Sequence, residues 1–155
     1  AYDESHQYMA GCVVRSLEHN PPMQKWINSK GCHYGAHLYN YSMAKGSVAK
    51  TESIILVEGQ GDVWRLWEAG IKNVVGIFGC HLTDYQQISI ERSGALNIIV
   101  LTDNDEPGRK AADSIKEKCG RLFNLHFPKL DKKDVGDMSV DEINENLKPQ
   151  ISGMI

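Results

Sequence analysis

The sequence predicts an α/β fold: an open, mainly parallel sheet of about four strands flanked by helices, preceded by an irregular segment. Three observations carry that expectation. Short runs of β-branched and aliphatic residues recur between residues 53 and 127, and a helix-like stretch follows each of the first three. The links between them are short, as in strands joined by right-handed crossovers. The runs are apolar throughout rather than alternating, which marks strands buried on both faces.

Taken in order, Ile54–Val57 is the first such strand. A helix over 62–69, "DVWRLWEA", places Val63, Leu66 and Trp67 on one face and stops at Gly70. "NVVGIFG" (73–79) is the second strand, and a helix over 82–94 follows, with Thr83 as N-cap and Gly94 as stop. "NIIVLTD" (97–103) is the third strand. The helix over 106–120 opens with Pro107 and closes before Gly120. "LFNLHF" (122–127) is a fourth strand, and a last helix over 140–148 is capped by Ser139 and ends before Pro149. Residues 1–52 read differently, with a Pro-Pro pair at 21–22, a strand candidate at 11–17 and a partly helical lead-in at 38–50. The expected division is an accessory segment over 1–52, the sheet domain over 53–138 and a helical tail over 139–155.

Composition narrows the classes of function. The chain has 155 residues, 41% hydrophobic and 24% charged, with a net charge of −3. No apolar run approaches the roughly 20 residues that cross a bilayer. The first residues lack the basic-then-apolar order of a signal peptide, so no membrane and a cytosolic location are expected. Cys12, Cys32, Cys80 and Cys119 form no CxxC pair and read as reduced structural thiols; Cys32, His33 and His37 fit no usual zinc spacing. The charge is uneven: residues 1–53 hold five Lys/Arg against four Asp/Glu, and residues 54–155 hold twelve against sixteen. An acidic half can still handle polyphosphate when divalent metal occupies its carboxylates.

The chemistry gathers at strand tips. In an open α/β sheet ligands bind at the carboxyl ends of the strands. The first strand ends on Glu58, with Gly59, Gly61 and Asp62 behind it; the third ends in "LTDNDEPGR", with Asp103 and Asp105. Residues i and i+2 of extended backbone point to one side, so the two aspartates can converge. If the first and third strands are neighbours, Glu58 faces the pair across one strand spacing, roughly 5 Å. Carboxylates so grouped repel and call for Mg²⁺ or Mn²⁺. Each has a plainer reading beside this one: Asp105 as a helix cap, Asp103 as a turn residue, Glu58 as an exposed strand end. Trp64 reads as partly surface and Trp67 as core, against a base-stacking role. Lys129, Lys132 and Lys133 form a small basic cluster near Asp134, read as a phosphate contact or a solvated loop, and Arg109 stands at a helix start.

These motifs carry a resemblance. "ILVEGQGDV", "AGIKNVVGIFG" and "IVLTDNDEPGRKAA" are similar to the Toprim domain, a Rossmann-like fold shared by primases, topoisomerases and some nucleases. The resemblance implies Mg²⁺ or Mn²⁺ ligation by Glu58, Asp103 and Asp105, with Asp62 as the recurrent second acid. Asn28-Ser29, Leu38-Tyr39-Asn40 and "DEPGRKAA" resemble the approach and helix motifs of bacterial and phage DNA primases, and "KKDVGDM" (132–138) resembles their acidic element through Asp134 and Asp137. The primase likeness implies a nucleotidyltransferase that makes short RNA primers on a single-stranded DNA template from nucleoside triphosphates, with a replicative helicase fused or associated. Arg109, Lys30, Lys132, Lys133 and Gly59 would meet nucleotide or template, Asp62 would assist catalysis and Asp134 would join the metal ligands. The likeness spans roughly residues 21–140. The basic residue expected to grip template or nucleotide is displaced to Lys30 or missing, and the acidic element lacks its usual proline. Most of the amino-terminal primase core has no counterpart, so the chain reads as a fragment. A Toprim nuclease and a non-catalytic module that binds nucleic acid or a replication protein are the other classes.

Overall fold

The structure, a computed structural model, describes residues 7–17 and 26–155. The Pro21-Pro22 pair lies outside the described residues. Two strands, β1 (Val13–Arg15) and β2 (Trp26–Asn28), form an antiparallel ribbon, with Arg15 opposite Trp26 and Val13 opposite Asn28. Then follow helix α1 (Tyr41–Thr51), β3 (Ser53–Val57), α2 (Gln60–Glu68), β4 (Val74–Gly76), α3 (Asp84–Glu91), β5 (Asn97–Val100), α4 (Glu106–Cys119) and β6 (Asn124–His126). The chain closes with α5 (Val140–Glu142), which runs on through a wide π turn and a 3-10 turn to Ile151.

β4, β3, β5 and β6 form one sheet in that order, and all its pairings are parallel. The expected neighbourhood of the first and third apolar strands is therefore present, with Ser53 beside Asn97 and Leu56 beside Val100. Because strand side chains alternate between faces, β3 feeds two cores. Ile54 and Leu56 pack with Ala44, Val48, Ile90 and Ile115, under α1, α3 and α4. Ile55 and Val57 pack with Val63, Leu66, Val135, Ile143 and Leu147, under α2 and the carboxyl-terminal helix. A sheet buried on both faces explains why its strands read as continuous apolar runs.

Three elements differ from the sequence expectation. Residues 38–50, expected as a partly helical lead-in within the accessory segment, carry the regular helix α1 from Tyr41 onward, and Leu38 before it with Tyr41, Ala44 and Val48 on it lie in the sheet's own core. Helix α2 starts two residues early, because Gly59 takes the N-cap place and the Asp62 side chain turns back to its N–H. The last helix passes through Pro149 instead of ending before it. The Lys148 N–H reaches Ile143 O, five residues back. That wider turn leaves Pro149 in the first turn of a new 3-10 segment, where a missing N–H costs nothing. Thr83, Asp105 and Ser139 all cap helices as their side-chain oxygens accept backbone N–H groups. Among the described residues no helix is long and apolar enough to cross a membrane.

Candidate metal and nucleotide site

Leaving β3, the chain passes through α2 on one face of the sheet to β4. Leaving β5, it passes through α4 on the other face to β6. The two exits part between β3 and β5, and a crevice opens there, the place where open α/β sheets bind ligands. Glu58 follows β3 and Asp103 follows β5. They meet: Glu58 Oε1 accepts the Asp103 backbone N–H at 3.0 Å. The two tips are held level because the Leu101 N–H donates to Leu56 O at 2.9 Å, extending the β3–β5 ladder.

Around this pair lies a cleft of about 520 Å³, whose acidic lining residues are Glu58, Asp62, Glu68, Asp103, Asp134 and Asp137. Burial raises the Glu58 carboxyl, an effect the Asp103 N–H opposes and the nearby Asp105 and Asp62 charges reinforce. Burial raises Asp103 further, to about 7, helped by repulsion from Glu58, Asp62, Asp134 and Asp105. Asp62 is also raised by burial, against hydrogen bonds from Gly59 and Gly136.

The acids do different work. Both oxygens of Asp62 are engaged by backbone: Oδ2 accepts from Gly59 N–H at 3.1 Å and Oδ1 from Gly136 N–H at 3.0 Å. It braces the start of α2 against the 134–137 loop. Asp134 Oδ1 accepts from Asp137 N–H at 2.8 Å, and the residue lines the cleft. Asp105 takes its plainer reading in part: Oδ1 caps α4 through Gly108 N–H at 3.0 Å, and Oδ2 faces Lys133 Nζ at 3.7 Å. It lies behind the lining of the cleft. Lys132 is turned to Glu142 at 3.1 Å, and Lys30 and Arg109 are exposed outside the cleft lining. Gly59 lines the cleft.

Among the described residues, no three His, Cys, Asp or Glu side chains converge tightly enough to form a ready-made metal cage. The donor set nevertheless suits a hard divalent cation. It is all carboxylate oxygen, half-buried, and holds protons more tightly than isolated acids do because burial, and then repulsion among its members, disfavours the charged forms. A cation that neutralises the group relieves both penalties.

Several residues that shape the site were not singled out in the sequence. Asn104, between the two aspartates, donates its backbone N–H to Lys133 O at 2.6 Å and its side-chain amide to Leu130 O at 3.0 Å and Lys132 O at 2.6 Å. These bonds tie the Asp103–Asp105 loop to the loop that carries Asp134. We expect Asn104→Ala to strand two carbonyl acceptors, lowering stability by about 1–3 kcal/mol and weakening Mn²⁺ uptake; urea unfolding and calorimetry read both. An unchanged Mn²⁺ affinity would show that the two loops keep their register without it. Phe78 sits on the cleft at φ 60°, wedged against Tyr34 and Tyr39, a strained backbone position for a bulky residue. Arg15 and Trp26 also line the cleft. The period-two spacing of Val13 with Arg15 and of Trp26 with Asn28 is the signal that could have marked them.

Residues 52–126 match the family model of the Toprim domain. The DNA primase of Campylobacter jejuni subsp. jejuni serotype O:2 is 39% identical over 107 residues, covering 67% of this chain and 17% of that protein. The DNA primase of Enterococcus faecalis is 30% identical over 112 residues, covering 72% of this chain and 16% of that protein. The crystal structure of the Aquifex aeolicus primase zinc-binding and RNA polymerase domains matches with a TM-score of 0.80 and 26% identity, over 97% of this chain and 38% of that one. A primase catalytic domain solved bound to single-stranded DNA matches with a TM-score of 0.79 and 27% identity, over 97% of this chain and 49% of that one. The chain thus spans under a fifth of those two curated relatives. A parallel sheet with acids at its switch point, the family match and the primase likeness agree: the chain carries a Toprim domain of the bacterial DNA primase family.

Proposed function

We propose that this chain supplies the metal-binding side of a DNA primase active site, joining nucleoside triphosphates into short RNA primers on single-stranded DNA. The observation that carries this reading is the meeting of Glu58 and Asp103 at the switch point, inside a cleft large enough for a nucleotide. Glu58 and Asp103 are the principal ligands, with Asp134 completing the set from the 134–137 loop and Asp105 acting from behind it. Asp62 keeps α2 and the 134–137 loop in place around them.

Mg²⁺, or Mn²⁺ in its place, would draw off charge from the triphosphate and the attacking hydroxyl when bound. The residues of this chain contribute position. Glu58 holds Asp103 by its backbone, so the two carboxylates present a fixed pair of oxygens. Gly59 and Gly61 leave the cleft open beside them, where a side chain would crowd a phosphate. Lys133, already near Asp105, stands where it can follow an anionic strand. A replicative helicase, fused or associated, would deliver the template in a bacterial or phage-infected cytosol.

The test is template-directed synthesis by the full parent protein with Mg²⁺, labelled nucleoside triphosphates and single-stranded DNA. Extension products are expected, and Glu58→Gln and Asp103→Asn should each lower their yield about 10²-fold or more. Shortening of labelled DNA or RNA in Mn²⁺, with no extension, would assign the same acids to a nuclease. Absence of any Mn²⁺ uptake in calorimetry would leave a non-catalytic binding module.

A further inference from the structure

Part of the cleft lining is aromatic and cationic. The ribbon's register sets Arg15 beside Trp26, and both face the cleft. Their strand neighbours Val14 and Ile27 turn to the other side of the ribbon. The Arg15 guanidinium lies 5.5 Å from the centre of the Trp26 ring. Trp26 in turn meets Trp64 of α2, with ring centres 6.0 Å apart and planes inclined at 56°. A ribbon residue and a helix residue thus form one surface.

Trp64 is held for presentation rather than burial. Its indole N–H donates to the Tyr39 hydroxyl at 2.8 Å, which satisfies its polar atom and fixes the ring, yet the residue stays 49% exposed. A tryptophan that served only to glue the ribbon down would bury more of its area, which is most of what an aromatic side chain contributes to a core. Its neighbour in sequence position, Trp67, does that work: it packs against the core under α2.

Charge says what fits. Among the described residues that line the cleft the cations are Arg15 and Arg65, and Arg65 is paired with Glu68 at 2.7 Å. Arg15 lies with the aromatic pair. The occupant must therefore bring a flat apolar face to one indole, with the inclined second ring at its edge, and an anion that reaches both Arg15 and the cation-binding acids. A nucleobase on a phosphorylated sugar has both, and aromatic platforms edged by arginine are how single strands are held without hydrogen-bond readout of sequence.

We propose that Trp26, Trp64 and Arg15 form a base-stacking wall that grips a nucleotide unit whose phosphates face the acids. For the origin of the ligand this rests on the primase reading; the wall itself rests on its own geometry. The unit belongs either to the template strand or to an incoming nucleoside triphosphate.

Intrinsic tryptophan emission reports the contact, since the chain has only three tryptophans and Trp67 packs inward. The protein is titrated in Mg²⁺ with an oligothymidylate, with ATP and with base-free inorganic tripolyphosphate. The expected result is quenching by at least one base-bearing ligand and none by tripolyphosphate. Quenching by the oligonucleotide alone assigns the wall to the template, and by ATP alone to the incoming nucleotide. Trp64→Leu, which keeps apolar bulk but no ring, should weaken that ligand about tenfold, and Trp64→Phe should restore most of it, while tripolyphosphate affinity, measured by calorimetry, stays unchanged. Equal affinity of wild type and a folded Trp64→Leu for every ligand would overturn the wall. The two readings fail separately: stacking without primer synthesis sinks the primase reading, and normal synthesis and binding in Trp64→Leu sinks the wall.

Discussion

Gly108→Ala is expected to destabilise the protein by more than about 2 kcal/mol and to remove its divalent-metal binding together. Gly108 is the third residue of α4, and its N–H donates to the Asp105 cap at 3.0 Å. A Cβ there would lie 1.9 Å from the Asp103 carbonyl oxygen, 2.6 Å from its carbon and 2.8 Å from the Asp103 nitrogen. The obstacle is backbone, which cannot swing aside as a flexible side chain would. Either α4 retreats and loses its cap, or Asp103 is pushed away from Glu58. Gly46, exposed on α1, is the control. A Cβ there meets nothing within 4 Å, so Gly46→Ala should gain about 0.5–1 kcal/mol through helix propensity alone. Urea denaturation and Mn²⁺ calorimetry on both variants decide it. A Gly108→Ala protein with wild-type stability would mean that the helix and the aspartate loop are not in contact.

The second large effect is a trade between stability and metal binding at Asp103. Its carboxyl is raised from 3.8 to about 7 by burial and by repulsion from Glu58, Asp62, Asp134 and Asp105. The folded protein therefore keeps a proton that the unfolded chain releases. By linkage, stability of the metal-free protein is greatest below the unfolded value and falls as pH rises through this window, levelling above about 7. Glu58 and Asp62 are shifted in the same direction and add to the slope. Asp103→Asn removes one of the repelling charges. The metal-free variant should gain on the order of 1 kcal/mol at pH 8, after allowance for solvent screening at a half-open site, or about 2–4 °C in Tm for a chain of this size. Its stability should also depend less on pH. Mn²⁺ binding should disappear. In the wild type, Mn²⁺ uptake near pH 7 should release protons, which calorimetry in buffers of different ionisation enthalpy detects, and the affinity should weaken as pH falls. A metal-free Asp103→Asn protein less stable than wild type at pH 8 would show that the carboxylate is not under strain.

Much of this architecture was legible in the chain because it is local. An apolar run four or more residues long, a capping threonine and a glycine stop each reflect interactions within a few residues, and β3, β5, α3 and α4 appear close to where those signals put them. The convergence of Glu58 with Asp103 was legible for the same reason: once two strands are parallel neighbours, their ends lie at one edge. Less legible was everything that depends on which surface meets which. Asp62 looks in sequence like one more acid beside Glu58, and only the arrival of the 134–137 loop, more than seventy residues on, makes it a brace between Gly59 and Gly136. Residues 38–51 show weak periodicity because α1 buries only a narrow stripe, chiefly Tyr41, Ala44 and Val48. Trp26 and Arg15 carry only a period-two spacing within short strands as a local sign; the ribbon pairing and the approach of α2 bring them to the cleft.

The sequence by itself determined the order of strands and helices and the identity of the acids at their tips, since hydrophobic period, caps and turns are encoded over a few residues. Only the tertiary structure decided which of those acids face the cleft, which are consumed by backbone N–H groups, and what else lines it. Those outcomes turn on distances between segments far apart in the chain, and a carboxylate's chemistry changes with the donors and charges that folding brings within a few ångströms.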